Sequence, residues 1–262
     1  INDGGLAGNP FITTWRTTTA NESITIPTGG GIDIADYDFQ ISWGDGTVDM
    51  VTGDDPDPTH TYTEPDDYEV VIVASTFYLR PNQDGDLNQL ISLDQWGGIE
   101  WQSMNNSFAW ARNMEYNATD VPDLSKVESM AGMFFAAEKL SGDFSGWNTS
   151  TVTDMSFMFD GAKIFNGDIS TWDVSKVTNM REMFQNADSL NQDLSSWNVS
   201  SVTNMQGLFQ NAPSFNGNVS TWNTGAVTNM FGLFAGASSF NQDVSEWDVS
   251  SVTDFGAMFL NA

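Results

Sequence analysis

The chain has 262 residues, enough for one or two domains with real cores, and 40% of them are hydrophobic, which excludes a disordered chain. Eight Lys and Arg stand against 35 Asp and Glu, a net charge of −27 that repels nucleic acid and anionic lipid and suits salty water or bridging divalent cations. There is no cysteine, so disulfides, thiolate catalysis and cysteine metal sites are excluded, and a Ser-His-Asp triad would have to use the single histidine, His60.

No stretch approaches the roughly 18 apolar residues of a membrane span, so no membrane insertion is expected. The sequence opens on Ile1 with no signal-peptide pattern, and a mature or trimmed product is the expectation. From residue 11 to about 80, apolar and polar residues alternate between turn clusters. "SITIPT" (Ser23 to Thr28), "DYDFQISW" (Asp36 to Trp43), "THTYT" and "YEVVIVAS" (Tyr68 to Ser75) read as strands. Gly29–Gly31 and Gly53–Pro58 are turn punctuation. Short strands at this spacing predict a small β-sandwich.

Within it, "WGDGT" (Trp43 to Thr47) and "HTYTEPDDYEVVI" (His60 to Ile72) resemble a PKD-type domain, an immunoglobulin-like sandwich of bacterial surface proteins. Asp66-Asp67 stand where that family usually has glycine after the proline. Trp43 is read as a core plug, Asp45-Gly46 as a tight turn, and Tyr62 and Tyr68 as half-buried strand aromatics. Asp45 reads as a turn cap, with a ligand role as the alternative, and His60 as a strand residue.

The next stretch, "PNQDGDLNQ", alternates Asn82, Asp84 and Asp86 around Gly85, like part of an EF-hand loop. Leu93 stands where the twelfth-position Glu would be. A calcium site or a polar connector are the two readings; no other cofactor is expected.

From Trp96 the chain repeats. After an irregular unit (Trp96 to Val121) and one that starts at Pro122, Trp147, Trp172, Trp197, Trp222 and Trp247 each open a 25-residue unit, the last reaching Ala262. The columns are sharp: Val127, Val152, Val177, Val202, Val227 and Val252, then Met130 to Phe255, then Phe134, Phe159, Phe184, Phe209, Phe234 and Phe259. The Met and Phe columns are read as core rather than as a cofactor box. "LSSWNV" alternates as a short strand, with Leu194, Trp197 and Val199 inward. "VTNMxxMF" shifts to a period of three and four, which predicts a short amphipathic helix capped by Thr153, Thr178, Thr203, Thr228 or Thr253.

The string "W-(D/N)-V-S-x-V-T-(N/D)-M-x-x-M-F" closely resembles the BspA-like leucine-rich repeats, or DUF285 repeats, of bacterial surface proteins, over roughly residues 90–262. The resemblance implies a secreted or cell-surface, non-enzymatic protein, often an adhesin for host, matrix or neighbouring cells. The expected fold is β-rich: an N-terminal immunoglobulin-like, PKD-type β-sandwich (1–80), a connector (81–95) and a leucine-rich-repeat-like α/β solenoid of 25-residue coils (96–262).

Residues flanking each Trp should point outward. The expected ligand surface, for a protein or glycan partner, is Asp173, Asn198, Asn223 and Asp248 with Thr171 and Thr221. Four residues before each Trp lie Asp143, Asp168, Asp193, Asn218 and Asp243, a ladder of like charges that needs either turn amides or bridging calcium. The alternative role is a structural subunit of an extracellular fibre or surface layer, a homopolymer stacked head to tail through the repeat end at Ala262.

Overall fold

The structure, a computed structural model, describes residues 8–28, 38–52, 57–81, 85 and 87–262. Eight strands are present among them: β1 (Phe11–Arg16), β2 (Glu22–Thr25), β3 (Phe39–Ser42), β4 (Val48–Val51), β5 (Thr59–Tyr62), β6 (Asp67–Val73), β7 (Leu90–Gln95) and β8 (Glu115–Tyr116). They form a six-stranded sheet in the order β4-β3-β6-β1-β7-β8 and a separate β2-β5 pair. The two sheets enclose a core of Phe11, Trp15, Ile24, Phe39, Trp43 and Tyr62. β1 shows how sequence makes this layer: Phe11, Thr13 and Trp15 face inward and Ile12, Thr14 and Arg16 outward. Two buried polar groups of this core find partners close by. The Trp15 indole donates to Thr13 Oγ1 at 2.9 Å, and the Tyr62 hydroxyl to the Trp43 carbonyl at 2.8 Å.

β7 lies inside the large sheet, antiparallel to β1, and pairs in parallel with β8 through Ser92–Glu115 and Leu93–Tyr116. That parallel edge continues into the repeats as isolated parallel bridges: Glu100–Asp123, Ser129–Asp154, Asp154–Asn179, Asn179–Asn204, Asn204–Asn229 and Asn229–Asp254. The repeats therefore stack as rungs in parallel register, each hydrogen-bonded to the next.

The expected α/β coil is not what forms: no helix occurs among the described residues. The segment read as a helix is a run of turns, and it carries the rung-to-rung bonds. In one rung, Met180, Glu182, Phe184 and Asn186 donate backbone N–H groups to the carbonyls of Asn204, Gln206, Leu208 and Gln210, at 2.8–3.0 Å. Between them, Met183, Gln185 and Ala187 donate to Met180, Glu182 and Phe184 of their own rung. Amides thus alternate between the neighbouring rung and a local turn. The strand expected at "LSSWNV" is not assigned either, although Leu194, Trp197 and Val199 are buried as expected.

The reason for the misreading is geometric. Buried Met180, Met183, Phe184 and Ala187 follow the i, i+3, i+4, i+7 spacing of a helix face. A series of turns gives the same spacing when the residues between are left-handed. Glu182 and Asn186 have φ of 53° and 55°, and the equivalent pairs Phe157 and Gly161, Gly207 and Asn211, and Gly232 and Gly236 do the same. Glycine and asparagine tolerate this region best. The threonines expected as helix caps serve the stack: Thr178, Thr203, Thr228 and Thr253 each donate a hydroxyl to the carbonyl of the matching threonine one rung back, at 3.0–3.2 Å.

Inside the stack, the phenylalanines make one continuous column. Phe134, Phe159, Phe184, Phe209, Phe234 and Phe259 follow one another at ring-centroid distances of 5.6–5.8 Å, with planes within 16° of parallel. Trp172, Trp197, Trp222 and Trp247 line a second wall, and each indole N–H donates to a carbonyl of the preceding rung at 2.9–3.1 Å. On the surface, one column alternates in sign. Glu138 accepts from Arg112 Nη1 at 2.7 Å and from Lys163 Nζ at 2.6 Å, which avoids the like-charge contacts that a strict repeat imposes.

One buried carboxyl interrupts this packing. Asp160 is 7% exposed, and Asn186 Nδ2 donates to its Oδ1 at 2.9 Å. Burial raises its pKa from 3.8 to about 6, the amide offsets part of that, and nearby Glu182 adds to it. The folded state therefore holds the Asp160 proton more tightly than the unfolded chain. Its stabilising effect is complete below about pH 4 and is lost as pH rises through about 6. Asp160→Asn is expected to raise stability at pH 8 by on the order of 2 kcal/mol and to leave it nearly unchanged at pH 4, read from urea melts at both pH values.

Candidate functional site

The only histidine sits in a structural cluster. Asp45 accepts the Thr47 amide at 2.9 Å and its hydroxyl, closing the Asp45-Gly46 turn, and its Oδ2 lies 2.7 Å from His60 Nε2. The Thr47 hydroxyl meets the same Nε2 at 3.3 Å, while the ring stacks on Trp43 and abuts Tyr62. A relay needs carboxylate and hydroxyl on opposite ring nitrogens. Here both engage one nitrogen, so this cluster pins the turn.

Along the rungs, three columns of Asp or Asn close tight turns by accepting the amide two residues on; in one of them Asp154, Asn179, Asn204, Asn229 and Asp254 accept from Ser156, Arg181, Gln206, Phe231 and Gly256 at 2.8–3.2 Å. Asp143, Asp168, Asp193, Asn218 and Asp243 accept from Ser145, Ser170, Ser195, Ser220 and Ser245 at 2.9–3.0 Å. Turn amides therefore meet the like-charge ladder, and hydrogen bonds from Ser145, Ser195 and Ser245 hold the Asp143, Asp193 and Asp243 carboxyls below the usual range. The second column holds the expected ligand residues. Asp173, Asn198, Asn223 and Asp248 are exposed and accept the amides of Ser175, Ser200, Gly225 and Ser250 at 2.9–3.3 Å. Ser175 and Ser250 lower the Asp173 and Asp248 carboxyls in the same way.

The expected Thr171 and Thr221 are exposed on the adjacent column, and each donates its hydroxyl at 2.7 Å to a carbonyl of the preceding rung, Ser145 and Ser195. All six residues are thus tied to the backbone; the Asp/Asn column has one copy on each of four successive rungs, about 4.8 Å apart, and Thr171 and Thr221 stand two rungs apart. Asn82, Asp84 and Asp86, the expected calcium ligands, lie outside the described residues. At the far end, Phe255, Phe259 and Leu260 are 44%, 50% and 58% exposed and, with Trp247 and Met258, line an apolar hollow of about 550 Å³.

The family model for "Mycoplasma protein of unknown function, DUF285" matches residues 102–213 and 192–262, together more than half of the chain and all the regular rungs. The chain belongs to the DUF285 family. No curated protein and no solved structure matches it. The three turn-closing columns and the alternating amide pattern are thus the physical content of its DUF285 rungs, and the sandwich precedes the matched segment.

One feature of this DUF285 chain escaped the sequence reading: a polar groove of about 500 Å³ across the outer face of β1, β7 and β8, where the sandwich sheet meets the first rungs. Its floor is a chain of hydrogen bonds. Asn117 Nδ2 donates to Ser92 Oγ at 2.8 Å, Ser92 Oγ to Asp94 Oδ1 at 2.6 Å, and Thr14 Oγ1 to Asp94 Oδ2 at 2.7 Å. The one available signal was the outward, polar alternation of Thr14 and Arg16 in β1.

Proposed function

We propose that this chain is a non-enzymatic, secreted or cell-surface binding protein whose rungs form a leucine-rich-repeat-type solenoid without helices and act in adhesion. The N-terminal sandwich, with its Trp43–Tyr62 plug, serves as a PKD-type spacer that carries the rungs. The observation that supports this reading is the outer column of Asp173, Asn198, Asn223 and Asp248 with Thr171 and Thr221, fixed at rung spacing by the backbone. Such a lattice of acceptors and hydroxyls is pre-organised for an extended protein or glycan partner, because little side-chain entropy remains to be lost.

The test uses changes the fold already tolerates. Asparagine closes the same turn at Asn198 and Asn223, so Asp173→Asn and Asp248→Asn remove charge and keep the cap. Combined with Thr171→Val and Thr221→Val, they are expected to reduce binding to immobilised matrix proteins, oligosaccharides or cells by about tenfold or more, the scale of a few lost hydrogen bonds. Binding that is absent across the panel, or unchanged in the combined variant, would remove the support for an adhesive rung face.

A further inference from the structure

We propose that the polar groove across β1, β7 and β8 is a binding site for a neutral oligosaccharide of disaccharide to trisaccharide size, separate from the rung face. The groove's volume of about 500 Å³ lies within the range of small-ligand pockets. Its floor is wired before any ligand arrives: Asp94 is gripped by Thr14 and Ser92, and Ser92 by Asn117. Each of these groups retains capacity. The Asn117 amide has a second N–H and a free carbonyl, and the Ser92 and Thr14 oxygens keep lone pairs. Ligand hydroxyls, which donate and accept at once, complete such a chain, and its half-buried end on Asp94 strengthens it.

Charge and polarity narrow the ligand class. Arg16 turns Nε and Nη2 to Asp67 at 2.6 and 2.7 Å, Lys139 stands exposed on the rung side, and the carboxylates Glu22, Asp94 and Glu115 line the same groove. Charges of both signs thus line the groove and neither dominates, so an ionic ligand gains little there, and the net charge of −27 further disfavours an anionic one. Apolar side chains are nearly absent from the lining, which disfavours a hydrocarbon. A neutral, hydroxyl-rich molecule remains. Because Thr14 belongs to the sandwich sheet and Asn117 and Lys139 to the first rungs, such a ligand braces the two parts and raises the melting temperature.

The experiment titrates the full chain with cellobiose, N,N′-diacetylchitobiose and digalacturonate, followed by calorimetry and thermal melts. At least one neutral disaccharide is expected to bind with Kd on the order of 1 mM and to raise Tm, with digalacturonate weaker. Asn117→Ala and Thr14→Val, with native-like melts of their own, are expected to weaken binding about tenfold, the loss of one hydrogen bond each. Asp173→Asn with Asp248→Asn is expected to leave it unchanged, so failure here and failure of the rung-face reading are distinguishable. Binding of no neutral disaccharide, stronger binding of digalacturonate, or full affinity in Asn117→Ala and Thr14→Val would each overturn the assignment.

Discussion

Phe184→Ala is expected to cost about 3–5 kcal/mol, the range for emptying a buried phenylalanine site, and to lower Tm by roughly 10 °C. Phe184 is fully buried, with Phe159 at 5.7 Å and a 2° interplanar angle on one side and Phe209 at 5.8 Å and 7° on the other. Its backbone donates to Leu208, and Phe159 donates to Met183. Both neighbouring rungs are thus held at fixed spacing by main-chain bonds, and the hole cannot collapse. Phe259 occupies the same column in the last rung but is 50% exposed and has a ring on only one side, Phe234. Phe259→Ala should cost under about 1 kcal/mol, because the water-exposed part of a side chain carries little burial energy. Urea denaturation of both variants measures the contrast. Equal losses would mean that the column is not a stack.

Gly97→Ala is expected to destabilise the join between sandwich and rungs by about 3 kcal/mol. Gly97 has a φ of +69°, where an L side chain costs about 1–2 kcal/mol. A Cβ there would sit 2.3 Å from the Pro10 carbonyl oxygen and 2.6 Å from that of Asn9, so main chain must move, at a further 1–3 kcal/mol or so. The movement pulls on bonds that fix the join: Asp120 accepts the amides of Trp96 and Gly97 at 3.0 and 2.9 Å, and Gly98 donates to Asn9 at 2.8 Å. Gly46 provides the control. Its φ is +97°, but nothing lies within 4 Å of an added Cβ, so Gly46→Ala carries only the conformational cost. A Gly97→Ala variant no less stable than Gly46→Ala would show that the contact with Asn9-Pro10 is not rigid.

Much of this architecture was legible in the residues, because core columns follow from periodicity alone. Val177, Met180, Phe184 and Trp197 are buried where their spacing put them, and the segments read as strands around Ile24, Ile41, Thr61 and Val71 pair in sheets. The local geometry of the rungs was not legible, since turns with left-handed residues at 182 and 186 reproduce the spacing of a helix face. What separates the two is where alternate amides find partners, and those partners lie on another rung. The same limit hid β7 and the groove, which depend on Thr14 meeting Asp94 80 residues away. The outward columns were visible as Asp and Asn at fixed intervals, but each residue's part in closing its own turn was clear only for the column at Asp143.

The central claim is that each 25-residue unit is one rung, bonded to its neighbours in parallel register. The most direct measurement is the thermal melt of a chain from which Trp172–Ser196, one whole rung, has been removed, beside one lacking only Trp172–Met183. Removing the whole rung brings Trp197 to the place of Trp172, restores every column and lets Met155 and Phe159 bond to the next rung as before. The account predicts one cooperative transition close to that of the parent, and a large loss for the partial deletion, which shifts every later column out of register. Equal damage from both deletions would contradict it.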